Sequence, residues 1–487
     1  MSAAYDLIIR NGTVITATER MHCDIGVQAG HIAALAGNLQ GAARTTIDAT
    51  GMLVLPGGID SHCHIEEISS TGLTTADDFY AGGVSAAAGG TTTLMPFAAQ
   101  QRGQSLGAVV REYHRRAEGR AFVDYGFHLG ISDPTQEVLE QELPALIRQG
   151  CTSVKIYTTY DTLKIADRQI LDVLDAAKRM GAIVMVHAEN SDAIAWMTAR
   201  LLQAGKTAPR FHPESRPQVA EREAVHRVIA LAELVDVPIL LVHVSGREAL
   251  EQIGWARNRG LKVYAETCPQ YLLLTAADTC KPGFEGAKFI FSPPAREKAD
   301  QEELWRSLAN GLVQVISSDH SPYRYQGPQG KQVHGPDAPF TKVPNGIPGL
   351  ETRLPLLFSE GVGRGRIDIH TLVALTATNA ARIYGLYPRK GTVAVGSDAD
   401  LAIWDPEVGV TISQEMLHDR MDYTAFEGMK VKGWPTITIS RGEIVWSGGE
   451  VRGSPGRGQF LRCDRPMDLS GYRCLRKPPP TKTLGET

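Results

Sequence analysis

Cysteine is sparse and unpatterned. The chain carries seven, at positions 23, 63, 151, 268, 280, 463 and 474, an odd count in which no two form a CxxC pair. That reads as reduced thiols and not as a disulfide framework. Long apolar runs are also missing: none reaches the roughly 18 residues that a membrane span requires. The opening MSAAYDLIIRNGTVI has an acidic residue where a signal peptide would carry a basic region followed by an apolar one. No signal peptide is therefore expected, and Asn11-Gly12-Thr13 reads as a turn and not as a glycosylation site. A strong charge of either sign is absent too. Fifty Lys and Arg stand against 54 Asp and Glu, for a net charge of −4, which gives no reason to expect nucleic acid or an anionic membrane as a partner. What remains is a cytoplasmic protein of ordinary globular composition, 43% hydrophobic and 21% charged.

At 487 residues the chain suits a large barrel plus a second module. A core of that size holds together without metal or disulfide. Short strand signals occur at 7–9, 13–15, 25–27 and 31–35, with Asn11-Gly12 as a hairpin turn. They return at 391–393, 400–404, 436–439 and 443–446, with Arg441-Gly442 as a turn. The two ends thus read as one small β-sandwich domain, residues 1–56 and 388–448. Between them apolar strands alternate with helical spacing, as at 168–180 and 217–234. The eight strand candidates are 52–55, 91–95, 123–129, 153–157, 183–186, 239–242, 261–265 and 313–316. Continuous apolar runs are what buried parallel strands require. The fold class is therefore α/β, with a (β/α)8 TIM-like barrel over residues 57–387. Residues 449–487, rich in Gly, Pro, Arg and Lys, read as a tail that contacts another subunit or is disordered.

Polar residues gather where these strands end. The first runs into Gly58-Ile59-Asp60-Ser61-His62-Cys63-His64, and two histidines two apart on a strand share a face. The fourth contains Lys155, the fifth ends at His187, the sixth at His243 and the eighth at Asp319. The C-terminal rim of a barrel is where catalytic residues converge. One histidine on an apolar strand is ordinary packing, but four in the same register are not. Imidazole and carboxylate suit zinc or another first-row divalent ion. A lysine beside two such cations should lose its proton. The neutral amine can then take up CO2, giving a carbamate able to bridge two metals.

The motifs HxH, VK, VHAEN, LVHVS and SSDHS, in this order, resemble the cyclic amidohydrolases: dihydropyrimidinases, hydantoinases, allantoinases and dihydroorotases. The similarity runs over roughly residues 5 to 450. It implies that His62, His64, Lys155 and Asp319 hold one metal and Lys155, His187 and His243 the other. The cofactor so implied is two zinc ions per subunit, or other divalent metals, bridged by Lys155 as N6-carboxylysine. The segments TADDF (75–79), AGGTT (88–92), FSPP (291–294), PNGIPGLE (344–351), DYTAFEG (422–428) and GWP (433–435) are similar to the dihydropyrimidinase and D-hydantoinase branch. In that branch Ser292 and Asn345 would bind the amide edge of the ring, largely through backbone groups, and Tyr160 would stabilise the oxyanion. The implied reaction is attack by a metal-activated water on a cyclic amide carbonyl, with Asp319 carrying the proton to the leaving nitrogen. A dihydropyrimidine or hydantoin would open to an N-carbamoyl amino acid. His320 and Asp60 read either as orienters of the ligands or as partners of nearby backbone groups. The resemblance further implies a homotetramer acting on a small molecule.

Dihydroorotases carry an arginine two residues after HxH to hold a substrate carboxylate. Glu66 stands in that place, and like charges disfavour an anionic ring. Asp319-His320-Ser321-Pro322 is nearer to allantoinase usage, and residues 323–342 are rich in Gly, Pro and Gln. Allantoinase and cyclic-imide hydrolase therefore stay as alternatives. A mononuclear deaminase would not need Lys155, and a non-catalytic dihydropyrimidinase-related binding protein would not need all six ligands. The wall facing the ring's exocyclic substituent reads as polar, from Glu67, Ser69 and Lys164, where the family often carries Met, Leu or Phe. The alternative wall is Ile65, Ile68 and Tyr157.

Overall fold

Short runs of β-branched residues build two nine-stranded sheets. In the computed structural model, which describes residues 5–69 and 72–467, the middle of the chain forms a parallel sheet. Its path runs through Gly58–Cys63, Thr91–Ala99, His128–Gly130, Ser153–Tyr157, Ile183–His187, Ile239–Leu241, Val263–Thr267 and Val315–Ile316. Asp124–Tyr125 pairs separately with Thr91–Ala99, so the third expected strand is split in two. Amphipathic helices such as Asp167–Met180, Gln218–Val235 and Arg247–Asn258 follow individual strands and cover the sheet. The result is the TIM-like barrel expected from the alternation.

The seam of the barrel is closed by side chains. The first strand meets the segment after the last one at the isolated bridge Cys63↔His320. Beneath it lies Arg353, fully buried, whose Nη1 donates to Ile59 O at 3.2 Å and to Ile316 O at 2.8 Å. Its Nη2 donates to Thr91 Oγ1, and its Nε lies 3.5 Å from Asp60 Oδ2. The interior is filled by Ile59, Met95, Phe97, Ile183, Met185, Leu240, Val242 and Val315. Tyr384, Leu461 and Cys463 pack against this same cluster.

Both chain ends form the second sheet, mostly antiparallel, in which Leu53–Pro56 lies between Tyr5–Ile15 and Leu401–Thr411. The first strand candidate, 52–55, therefore belongs to this sheet and not to the barrel. The barrel begins at Gly58–Cys63 instead. The switch occurs over two glycines: Gly57 N bonds Asp400 O in one sheet, and Gly58 N bonds Gly90 O in the other. A Cβ on Gly57 would lie 2.2 Å from Thr92 Oγ1, so no larger residue fits the crossing.

Part of the tail has a place within its own chain. Glu450–Val451 adds an edge strand to the terminal sheet, and the residues that follow run along the barrel: Leu461 N bonds Tyr125 O, Cys463 N bonds Gly150 O and Asp464 N bonds Gly385 O. Phe460 packs its ring on those of His114, Tyr125 and Phe127. Apolar side chains within the basic stretch give it a use inside the chain. The remainder of the tail, 468–487, lies outside the described residues.

Barrel, terminal sheet and tail meet at one buried cation. Lys390 Nζ contacts Asp124 Oδ2 at 2.7 Å, Asp398 Oδ2 at 2.9 Å and Asp400 Oδ2 at 2.5 Å. Arg441 Nε and Gln459 N bond Asp124 as well. Burial opposes the ammonium charge, but the three carboxylates outweigh it and hold Lys390 protonated. The acidic triad is thus filled by a side chain, not a vacant cation site. Lys390→Met leaves these buried carboxylates uncompensated and is expected to destabilise the fold by ~3–5 kcal/mol. A clear fall in the thermal unfolding midpoint checks this, and an unchanged midpoint would refute it.

Candidate metal centre and active site

Parallel strands deliver all their C-terminal ends to one rim, and there the expected ligands meet. The His62 ring centroid lies 5.5 Å from that of His64 and 5.4 Å from that of His243, which is 4.4 Å from that of His187. Asp319 Oδ1 is 3.2 Å from both His62 Nε2 and His64 Nε2. One donor atom from each of His62, His64 and Asp319 falls within 4.8 Å of the others, a spacing one metal ion can span. Lys155 is close enough for its charge to act on His62, His187 and His243, and its Nζ lies 5.0 Å from the Phe97 ring centroid and 5.3 Å from that of Tyr157.

The electrostatics suit cations. Burial, then Lys155 and the neighbouring histidines, push His62 well below its usual value. Burial, then His187 and Lys155, do the same to His243. Burial also lowers His187, although Glu189 opposes it. Neutral imidazoles keep the lone pair that a metal needs. His243 Nδ1 is buried without a partner, an orphaned polar atom inside the cluster. Burial lowers the Lys155 amine to about 8 even though Glu266, Asp319 and Glu67 oppose it. His64 is the exception. Burial lowers it, but Glu67 and Asp319 outweigh burial and raise it to about 10, so a metal arriving there displaces a proton. The donor set fits a pair of divalent ions.

Carboxylates set the ring orientations. His62 Nδ1 lies 2.6 Å from Glu266 Oε1, His64 Nδ1 lies 2.6 Å from Glu67 Oε2 and His187 Nε2 lies 2.8 Å from Glu189 Oε2. In each case the opposite nitrogen is left for the cavity. Glu189 also receives Arg216 Nη1 at 2.6 Å. Glu266 and Arg216 escaped the sequence reading. A glutamate within the apolar run Val263–Thr267 was the available signal for the first, since a buried carboxylate needs a partner. For Arg216 no local pattern existed.

His320 and Asp60 brace the backbone, and neither touches a ligand ring. Asp60 Oδ1 accepts from His62 N and Ser318 N. His320 accepts Gly349 N–H at Nδ1 and turns its Nε2 to Asp77, 2.9 Å away.

Above the rim opens a cavity of about 1080 Å³. Tyr160, Ser292 and Asn345 line it together with the histidines, the Tyr160 ring centroid lying 5.1 Å from that of His187. Ser292 Oγ donates to Asn345 Oδ1 at 3.0 Å and also bonds Tyr160. Burial raises Tyr160 to about 12 despite Arg216, so it remains an O–H donor. Tyr160, His243 and Asp319 all have positive φ, at 68°, 40° and 49°. Such backbone is uncommon for any residue but glycine and collects at sites where a side chain must be aimed.

The wall corrects two expectations. Glu66 does not face the cavity. With φ of 47° it turns away to Arg120, 3.2 Å from its Oε1, and Glu67 takes the place beside His64. A negative charge does border the ring site, but one residue later than expected. Lys164 is also turned aside, to Asp161 at 2.8 Å and Ser191 at 2.9 Å. Ile65 is buried against Gly82, and Ile68 is exposed. From the two loops, Glu67, Ser69, Leu73, Tyr157, Thr159 and Leu163 line the cavity, so its wall there is mixed, with a carboxylate among apolar and hydroxyl groups.

Known proteins match this chain throughout. It is 46% identical over 457 residues to a D-hydantoinase of Geobacillus stearothermophilus, covering 93% of this chain and 96% of that one. It is 44% identical over 458 residues to a D-hydantoinase of Ralstonia pickettii, covering 94% and 98%. The crystal structure of a dihydropyrimidinase from Brevibacillus agri superposes with a TM-score of 0.92 at 42% identity, over 94% of this chain and 99% of that one. The pattern of the amidohydrolase family itself matches residues 53–445, and the protein is a member of that family.

Proposed function

We propose that the protein hydrolyses a cyclic amide, a dihydropyrimidine or hydantoin ring, to an N-carbamoyl amino acid. The observation that carries this is the meeting of His62, His64, Lys155, His187, His243 and Asp319 in one cavity that Tyr160, Ser292 and Asn345 also line. Its relatives named D-hydantoinase and dihydropyrimidinase support the reading.

Two divalent ions, zinc in our reading, would be held by His62, His64 and Asp319 on one side and His187 and His243 on the other, with Lys155 as N6-carboxylysine between them. Bound there, they would supply an activated water and polarise the ring carbonyl. The chain's own groups do the rest. Ser292 and Asn345 hold the amide edge. Tyr160 donates its phenolic proton to the oxygen that gains charge. The Asp319 carboxylate takes the proton from the attacking water and gives it to the ring nitrogen as the C–N bond breaks. The product keeps the ureido group and gains a carboxylate.

A homotetramer is part of this reading, and exposed Trp196, Leu234 and Trp255 on the helices Ser191–Gln203, Gln218–Val235 and Arg247–Asn258 are apolar side chains available to a partner subunit. Buried free thiols support a place in the reducing cytoplasm. Light scattering of the purified protein should give the mass of four chains, and a monomer at micromolar concentration would refute the assembly.

Lys155→Ala should lose most metal and nearly all activity, and short carboxylic acids should partly restore it by replacing the bridging anion. Two metals per chain and full activity in that variant would sink the assignment. Asp319→Asn should lower kcat at least ~100-fold, as removal of a general acid–base does. A near-normal kcat would exclude that role.

Mass spectrometry of products from a panel of dihydrouracil, hydantoin, allantoin and cyclic imides tests the reaction. Within it, the polar wall of Glu67 and Ser69 should withhold the roughly 2 kcal/mol that an apolar wall offers a phenyl group. Dihydrouracil and hydantoin should therefore exceed 5-phenylhydantoin in kcat/KM. A tenfold phenyl preference, worth about 1.4 kcal/mol, would overturn this.

A further inference from the structure

Three of the four rim histidines have a carboxylate on the nitrogen turned away from the cavity, and the three carboxylates differ in kind. Glu266 and Glu189 are fully buried at strand ends. Glu67 sits on a loop and lines the cavity itself. The loop is held in place by its own backbone. Glu66 N bonds Asp77 O, Thr75 N bonds Glu67 O, Glu67 N bonds Thr75 Oγ1 and Ile68 bridges Thr74. The positive φ of Glu66 sends one acid outward to Arg120 and turns the next inward. That leaves Glu67 Oε2 2.6 Å from His64 Nδ1, while His64 Nε2 points at Asp319 Oδ1, 3.2 Å away.

We propose that Glu67 is a positioning residue for the metal centre, fixing His64 in the Nδ1–H tautomer with Nε2 toward the ion, while the same carboxylate forms the polar wall of the substrate cavity. This rests on reading His64 as a metal ligand. The Nδ1–H of His64 donates to the carboxylate, which locks the ring plane and strengthens Nε2 as a donor. Metal retention and the choice of exocyclic substituent are thereby tied to a single side chain. Exchanging Glu67 for an apolar residue to admit larger substituents would loosen the metal.

The test uses the full-length protein loaded with zinc, with wild type, Glu67→Gln and Glu67→Met compared for folding by far-ultraviolet circular dichroism. Metal per chain and competition with a chromogenic chelator are the readouts. Loss of an orienting partner typically lowers metal affinity ~10–100-fold, and that is the expectation for Glu67→Met. Glu67→Gln keeps the shape and an amide oxygen that still accepts Nδ1–H, so it should fall between Met and wild type. Affinity equal to wild type in both folded variants, or in Glu67→Gln alone should Glu67→Met not fold, would overturn the proposal. Wild-type protein that binds no divalent metal would instead remove the reading of His64 on which it rests.

Discussion

One buried guanidinium holds the ends of the barrel together. Arg353 spans the carbonyls of Ile59 and Ile316, on the first and last strands, where the ladder itself offers only an isolated bridge. A charge so deep is costly unless its donors are used and a counter-ion is near. Asp60 supplies that charge, and its Oδ1 in turn accepts from His62 N and Ser318 N. The closure therefore ends one residue from Asp319 and on His62 itself. His62 and Asp319, more than 250 positions apart in the chain, are brought to one place by the contact that shuts the barrel.

Around that closure the site is rigid by construction. Tyr160, His243 and Asp319 sit in left-handed backbone that is uncommon for any residue but glycine. Such conformations persist only where neighbouring bonds over-determine them. Ser318 Oγ accepting from His320 N, and Glu266 beside both His62 and His243, are bonds of that kind. Gly346, in the loop that carries Asn345, is a related case. A Cβ there would lie 2.4 Å from that of Ser321, so the loop packs directly on the segment after Asp319. Lys331 donates to Ile290 O and Pro344 O and so joins the two segments that present Ser292 and Asn345.

The relation between the barrel and the terminal sheet follows the same logic. Apolar faces pack them together, and Lys390 with Asp124, Asp398 and Asp400 sets their register by charge. The stretch 449–467 adds Gln459 to that cluster and Leu461 to the barrel core. A composition rich in Gly, Pro and Arg concealed this, because only a few apolar residues in it do the packing.

Strand and helix alternation, the two-residue spacing of His62 and His64 and the placement of Lys155, His187, His243 and Asp319 after apolar runs were legible in the sequence. Each is a local pattern with one period, and a parallel barrel converts position along a strand into position on a rim. What depends on side-chain direction across loops was not legible. The run 52–55 looked like a barrel strand because burial on both faces reads alike in either sheet, and only pairing with Leu401–Thr411 decides between them. Glu66 and Glu67 are adjacent and chemically identical, so no pattern separates the one that meets Arg120 from the one that meets His64. The sequence by itself determined which side chains reach the rim; the tertiary structure decided which partner each of them faces, because a single positive φ redirects a side chain without changing any letter of the pattern.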